Sequence, residues 1–322
     1  MANADGGTVL LLSDNVWNAH RERIMRAAPG VSPLVYEGNE PFADDVLDTV
    51  DIAFFSSDCW PERTRGIILS IMNAKNLKWL TTFSAGVDSP FFVQMMERGV
   101  MLTNSSGATA SPIAQTAILY MLALSRDMRT WMRNQDEKKW QQHRIDELDG
   151  ASLAVVGMGP IGMEIARIGV AMNMSVEAVR RSAKGDEPCP TFPMSELHGV
   201  LGRADWVASA LPLTPETRLV FDAKAFAAMR TGARFINVGR GELVDENALV
   251  AALRSGHLAG AGLDVFATEP LPEDSPLWEM DNVIVTPHNS GSSNTSNRRS
   301  EEIFLDNLER WARGTPLTNL VN

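Results

Sequence analysis

At 322 residues, 44% apolar and 21% charged, the chain is long enough for two soluble domains, each with its own core. A formal net charge of −11 repels polyanions and argues against nucleic-acid binding, while a local basic patch or helix N-terminus still suits a small anionic ligand. No apolar run approaches the roughly 18 residues of a membrane helix, MANADGGTVLLLS lacks the basic lead of a signal peptide, and Cys59 and Cys189, far apart and without CxxC spacing, suit a reduced cytoplasm better than a disulfide framework.

In chain order, strands are expected at Thr8–Ser13, Asp51–Ser57, Leu77–Ser84 and Val100–Asn104. Helical spacing of apolar residues falls between them, at Trp17–Ala27, Arg63–Asn73 and Pro90–Arg98. This alternation predicts a parallel sheet covered by helices on both faces. A long helical stretch follows from Ser111 to about Gln142, with Ser111 as N-cap and Pro112 at the first helical position. A second series then supplies SLAVVG, SVEAVR, ADWVASAL, ARFINVG, AGAGLDVF and NVIVTPH as strands, and Asn294–Arg313 closes the chain as a helix. The expected fold is α/β: two Rossmann-like, doubly wound parallel-sheet domains with a cleft between them, a usual place for a cofactor.

The stretch SLAVVGMGPIGMEIARIG carries GxGxxG at Gly157, Gly159 and Gly162. Three glycines alone are a weak signal, but these have an apolar strand before them and a helix after, beginning Pro160–Ile161. In such a turn Gly157 permits the tight bend, Gly159 lets backbone approach a pyrophosphate, and Gly162 lets helix and strand pack closely. The next strand usually ends in an acidic residue that holds a ribose 2′-hydroxyl. Here it ends in Arg180, Arg181 and Ser182. Guanidinium groups pair with phosphate where a carboxylate would repel it, so the expected ligand is NADP, with NAD as the alternative. A solvated basic turn would look the same, and the two arginines cannot be ranked from sequence.

The segment FINVGRGELVDENALVAALRSGHLAGAGLDVFATEPLPEDSPLWEMDNVIVTPHNSG, supported upstream by LKWLTTFSAGVD, resembles the D-isomer-specific 2-hydroxyacid dehydrogenases, the group with the glyoxylate/hydroxypyruvate reductases. The resemblance implies a catalytic set of Arg240, Glu269 and His288. Each suits the chemistry. Reducing a 2-keto acid needs a proton donor near neutral pH, which histidine provides; a carboxylate beside it stabilises the imidazolium; a permanent cation holds the substrate carboxylate. The same resemblance places the substrate carboxylate on Ala85, Gly86 and Val87. It sets Leu211, Pro212 and Thr217 under the cofactor, and Val238, Gly239 and Asp264 near the nicotinamide.

It further implies a discontinuous, flavodoxin-like substrate domain from residues 1–106 and 292–322, a dinucleotide domain at 107–291, and a homodimer built on the stretch after Ser111. Three departures stand out. Gln115 replaces a common glutamate, Ser290 replaces a small apolar residue and offers a polar contact to cofactor or substrate, and Trp60 lies in the SSDCWPE loop expected to face the substrate. The fold is also compatible with a nucleotide-sensing co-repressor, and a formate or phosphite dehydrogenase would make poorer use of the arginine and the Glu–His pair.

Overall fold

Both alternating series form parallel sheets in the computed structural model, which describes residues 7–321. The chain passes between two compact units at Thr109/Ala110 and again at Gly291/Ser292.

The first unit holds β1 (Val9–Ser13), α1 (Asp14–Ala27), β2 (Ser32–Tyr36), α2 (Asp44–Leu47), β3 (Ile52–Phe55), α3 (Thr64–Asn73), β4 (Trp79–Thr82), α4 (Pro90–Glu97) and β5 (Met101–Thr103). The five strands are parallel in the order β2-β1-β3-β4-β5, the flavodoxin-like arrangement. Alternate residues serve opposite faces: Leu11, Ala53 and Leu80 meet α3 and α4, whereas Leu10, Leu12, Ile52, Phe54 and Trp79 face the other way. After the second unit the chain returns as α11 (Asn294–Ala312) to cover that other face beside α1. There Phe304 stacks on Phe54 at 4.4 Å and Trp311 on Trp79 at 5.5 Å. Each large apolar side chain so buried is worth roughly 1.5–3 kcal/mol, which is why a segment distant in sequence belongs to this core.

The strand β2 is absent from the sequence reading because Pro33 interrupts its pattern. It occupies the sheet edge, where a missing N–H is tolerated. In a fold of this order a ligand crevice is expected beyond the carboxyl ends of β1 and β3. Protein groups fill it here: the Asp58 carboxylate accepts from Ser13 at 3.0 Å, Ser56 at 2.5 Å and Arg63, and Arg63 also pairs with Asp14 at 2.6 Å. The same network anchors the loop that carries Trp60, which is 60% exposed. Burial pushes the thiols of Cys59 and Cys189 up to about 11, so both are protonated and poorly nucleophilic at neutral pH.

The second unit begins with α5 (Ala110–Ser125) and α6 (Met128–Asp136). The single helix expected to Gln142 is therefore two, and its start is corrected too: Ser111 and Pro112 lie inside the first turn, with Ser111 accepting from the Gln115 amide at 3.1 Å. Proline costs no hydrogen bond there. The break is at Asp127, whose backbone is left-handed (φ 49°) and whose side chain accepts from Thr130 N to restart the helix. Apolar spacing continues across the break, so periodicity alone does not reveal it.

The rest comprises β6 (Ser152–Val156), α7 (Pro160–Ala171), β7 (Ser175–Val179), β8 (Thr191–Phe192), α8 (Leu197–Leu201), β9 (Trp206–Ser209), α9 (Ala223–Ala228), β10 (Ala233–Asn237), α10 (Glu246–Arg254), β11 (Leu258–Leu263) and β12 (Val283–Val285). All seven strands are parallel, ordered β12-β11-β10-β9-β6-β7-β8. Chain order reverses between β6 and β9, and the crevice beyond their carboxyl ends is the place for a ligand. Among the described residues no helix is long and apolar enough to cross a membrane, and no cluster of His, Cys, Asp or Glu has the makings of a metal site.

Candidate active site

At the end of β6 the chain turns through Gly157 at φ 103°, a conformation that strains any residue with a Cβ. A Cβ there would also lie 2.7 Å from the Ala210 backbone, and one at Gly162 would lie 1.8 Å from the Gly157 carbonyl oxygen. The turn is thus pressed against the start of the loop after β9. Gly159 is the N-cap of α7 and brings no side-chain acceptor, with Pro160 at the first position. The first-turn N–H groups, including that of Ile161, are left for an anion, which the helix dipole also favours. Leu211 and Val238 are buried beside this turn. Gly239 packs so closely on Leu211 that a Cβ would lie 2.8 Å from its carbonyl oxygen. Thr217 folds its own loop, donating to Pro212 O at 2.7 Å and accepting from Thr214 N at 2.8 Å.

The three residues after β7 are not equivalent. Arg180 is drawn in: its guanidinium meets the Glu187 carboxylate at 2.5 Å, with side-chain exposures of 15% and 4%. Arg181 and Ser182 are exposed, and the charge of Arg181 reaches the Glu216 carboxyl. No periodic pattern marks Glu187, which lies in the irregular loop between β7 and β8.

His288 and Glu269 meet. The imidazole Nδ1 is 2.7 Å from Glu269 Oε2, and the other carboxylate oxygen accepts from Phe266 N at 3.0 Å. A carboxylate on Nδ1 assigns the proton to that nitrogen and leaves Nε2 for proton transfer to a ligand. The pair stays partly open, His288 at 45% and Glu269 at 36% side-chain exposure. Arg240 follows β10 in a turn held by Asn237, whose side chain donates to Arg240 O at 2.9 Å and accepts from Gly239 N at 3.1 Å. The next residue is glycine of necessity: a Cβ at Gly241 would sit 1.8 Å from the Phe266 carbonyl carbon. That contact brings the Arg240 turn against the segment leading to Glu269.

His288 has a left-handed backbone (φ 50°), strained for a non-glycine residue. Its holder is Asp264. The backbone carbonyl of Asp264 accepts His288 N at 2.8 Å. The Asp264 carboxylate, 1% exposed, accepts from Thr286 at 2.5 Å, from the backbone of Asn289 and Ser290 at 3.1 Å each, and from the Ser290 hydroxyl. The Tyr120 hydroxyl meets Thr286 from α5, and burial pushes Tyr120 well above its ordinary value. Asp264 and Ser290, read from the sequence as cofactor contacts, thus spend these groups on the histidine loop. Tyr120 and Thr286 escaped the sequence reading, since a tyrosine on an apolar helix face reads as core.

In the first unit, Ala85, Gly86 and Val87 follow β4. The Ala85 carbonyl accepts from Asn104 at 2.7 Å and the Gly86 carbonyl from Ser84 at 2.7 Å. In a planar trans peptide the N–H points opposite its carbonyl, so the N–H groups of Gly86 and Val87 face away from these anchors.

A glycine turn at a sheet switch point and a carboxylate–histidine pair in the same unit suit a dinucleotide-dependent dehydrogenase. Residues 118–290 match the family model for the D-isomer specific 2-hydroxyacid dehydrogenase NAD binding domain. The chain belongs to the D-isomer specific 2-hydroxyacid dehydrogenase family. It is 34% identical over 269 residues to glyoxylate/hydroxypyruvate reductase B of Salmonella schwarzengrund, covering 81% of this chain and 82% of that one. The D-isomer specific 2-hydroxyacid dehydrogenase of Xanthobacter autotrophicus Py2, solved with NADPH and MES, is similar at a TM-score of 0.79 and 31% identity over 98% of each chain. The NADPH-dependent glyoxylate/hydroxypyruvate reductase of Sinorhizobium meliloti, solved with NADP and sulfate, is similar at 0.77 and 27% identity, again over 98% of each.

Proposed function

We propose that the protein is a cytoplasmic NADPH-preferring reductase of small 2-keto acids, of the glyoxylate/hydroxypyruvate type, forming D-2-hydroxy acids. The observation that carries this is the 2.7 Å Glu269–His288 pair in the same unit as the glycine turn and the exposed Arg181–Ser182 edge. The second unit holds the cofactor through the Gly157–Gly162 turn, the α7 N-terminus and the loops at Leu211–Thr217 and Val238–Gly239. The first unit supplies the substrate loop at Ala85–Val87. When bound, the reduced nicotinamide supplies a hydride to the keto carbon. His288 donates its Nε2 proton to the keto oxygen, and Glu269 stabilises the imidazolium beforehand and fixes its plane. Arg240 pairs with the substrate carboxylate and polarises the keto group.

The curated and solved relatives reported above carry reductase and dehydrogenase names, and nothing in them favours the co-repressor-like alternative. Purified protein should oxidise NADPH with glyoxylate or hydroxypyruvate, followed at 340 nm. Tight NADPH binding without turnover on these or longer 2-keto acids would defeat the reductase reading.

We also infer a homodimer through the α5–α6 region. Leu119 (57% exposed), Met132 (60%) and Trp140 (98%) present large apolar side chains along one stretch of chain, an arrangement that suits a protein interface. Sedimentation equilibrium should give twice the monomer mass, and Trp140→Glu should shift it toward monomer. A wild-type monomer at micromolar concentration would refute the inference.

A further inference from the structure

We propose that Glu187 withholds Arg180 from the cofactor, so that a 2′-phosphate is held by Arg181 and Ser182. The inference rests on the reading of this site as one for NADPH. Arg180 begins as the more obvious ligand, standing directly after β7. Its backbone is fixed there by the ladder to β8, Arg180 N donating to Phe192 O at 3.0 Å. Its side chain is committed elsewhere. Glu187 Oε1 takes the guanidinium at 2.5 Å and Lys184 N at 2.8 Å, while Oε2 takes Gly185 N at 2.8 Å. One guanidinium and two backbone N–H groups around a carboxylate form the kind of cradle that binds a phosphate. Here an internal anion fills it.

The consequence is a division of labour between adjacent arginines. Arg180 and Glu187 cancel one another in charge and close the 181–187 loop, with Gly185 turning at φ 85°. Backbone hydrogen bonds from Lys184 and Gly185 and the Arg180 bond lower the Glu187 carboxyl to about 2. A depressed carboxyl keeps its folded-state interactions above its ordinary titration range and loses them only as pH falls toward that value. The cradle therefore remains filled at any pH used for assay. Arg181 and Ser182 stay outside it and exposed, on the side where Arg181 senses Glu216 of the Leu211–Thr217 loop.

The test compares adenosine 2′,5′-bisphosphate with 5′-AMP by calorimetry, because their affinity ratio reads the 2′-phosphate alone and needs no turnover. Arg181→Ala should lower that ratio about 10–100-fold, as expected for losing a charge-assisted contact. The charge-neutral pair Arg180→Met with Glu187→Gln should change it by less than about threefold. Adding Glu187→Gln to Arg181→Ala should recover part of the loss, about fivefold or more, since a neutral amide no longer holds the guanidinium by charge and Arg180 becomes available to the phosphate.

A loss in the neutral pair as large as in Arg181→Ala would overturn the proposal, as would an Arg181→Ala variant that Glu187→Gln leaves unchanged. A wild-type protein with no preference for the bisphosphate would remove the NADPH reading and this proposal together. Preserved preference without keto-acid turnover would instead remove only the reductase assignment.

Discussion

Replacing His288 by Asn should reduce kcat about 10²–10⁴-fold, the usual worth of a positioned proton donor, and leave NADPH affinity within about twofold. Asparagine keeps a polar side chain that can still meet Glu269 but has no proton to deliver at neutral pH. The left-handed backbone at residue 288 (φ 50°) makes this exchange safer than alanine, because asparagine tolerates that region well. Glu269→Gln should lose less, since the imidazole would remain held at Nδ1 without the stabilising negative charge. Steady-state rates across pH 5–9, with NADPH binding measured separately, provide the check. Unchanged turnover in His288→Asn would leave the protein without its assigned acid and end the mechanism given above.

Asp264→Ala should cost about 3 kcal/mol of stability, the upper range for leaving buried neutral donors without an acceptor. It should also lower kcat at least tenfold. Four donors converge on this carboxylate, and alanine would leave them without an acceptor in a site nearly closed to water. At roughly 2–4 °C per kcal/mol for a unit of this size, the melting temperature should fall by about 10 °C. The kinetic effect would come through His288, whose strained backbone is held partly by that loop, so kcat should fall more than the cofactor KM rises. Thermal denaturation and initial-rate kinetics on the same preparations separate the two effects. A change confined to the cofactor KM, with normal stability and kcat, would make Asp264 a direct cofactor contact as the family resemblance suggests.

The candidate trio Arg240, Glu269 and His288 and the glycine turn could be proposed from sequence because such chemistry depends on residue type at fixed spacing. A GxGxxG between strand and helix, an arginine between two glycines, and a histidine after an apolar strand are each short-range statements. The parallel α/β class was legible for a similar reason, since alternating apolar runs and helical spacing report burial directly.

What escaped depended on partners distant in the chain or on a single backbone angle. Pro33 hid β2 until its place at the sheet edge excused it. The left-handed Asp127 divided a helix whose apolar rhythm runs on unbroken.

The sequence by itself determined the family and the reaction class. Residue chemistry is inherited from the chain without regard to how it folds. Only the tertiary structure decided that Glu187 occupies Arg180, that Asp264 and Tyr120 stand behind His288, and that α11 belongs to the first unit's core. A salt bridge, a buried hydrogen-bond cluster and a packed face exist only when groups separated in sequence come within a few ångströms, and linear spacing carries no record of that.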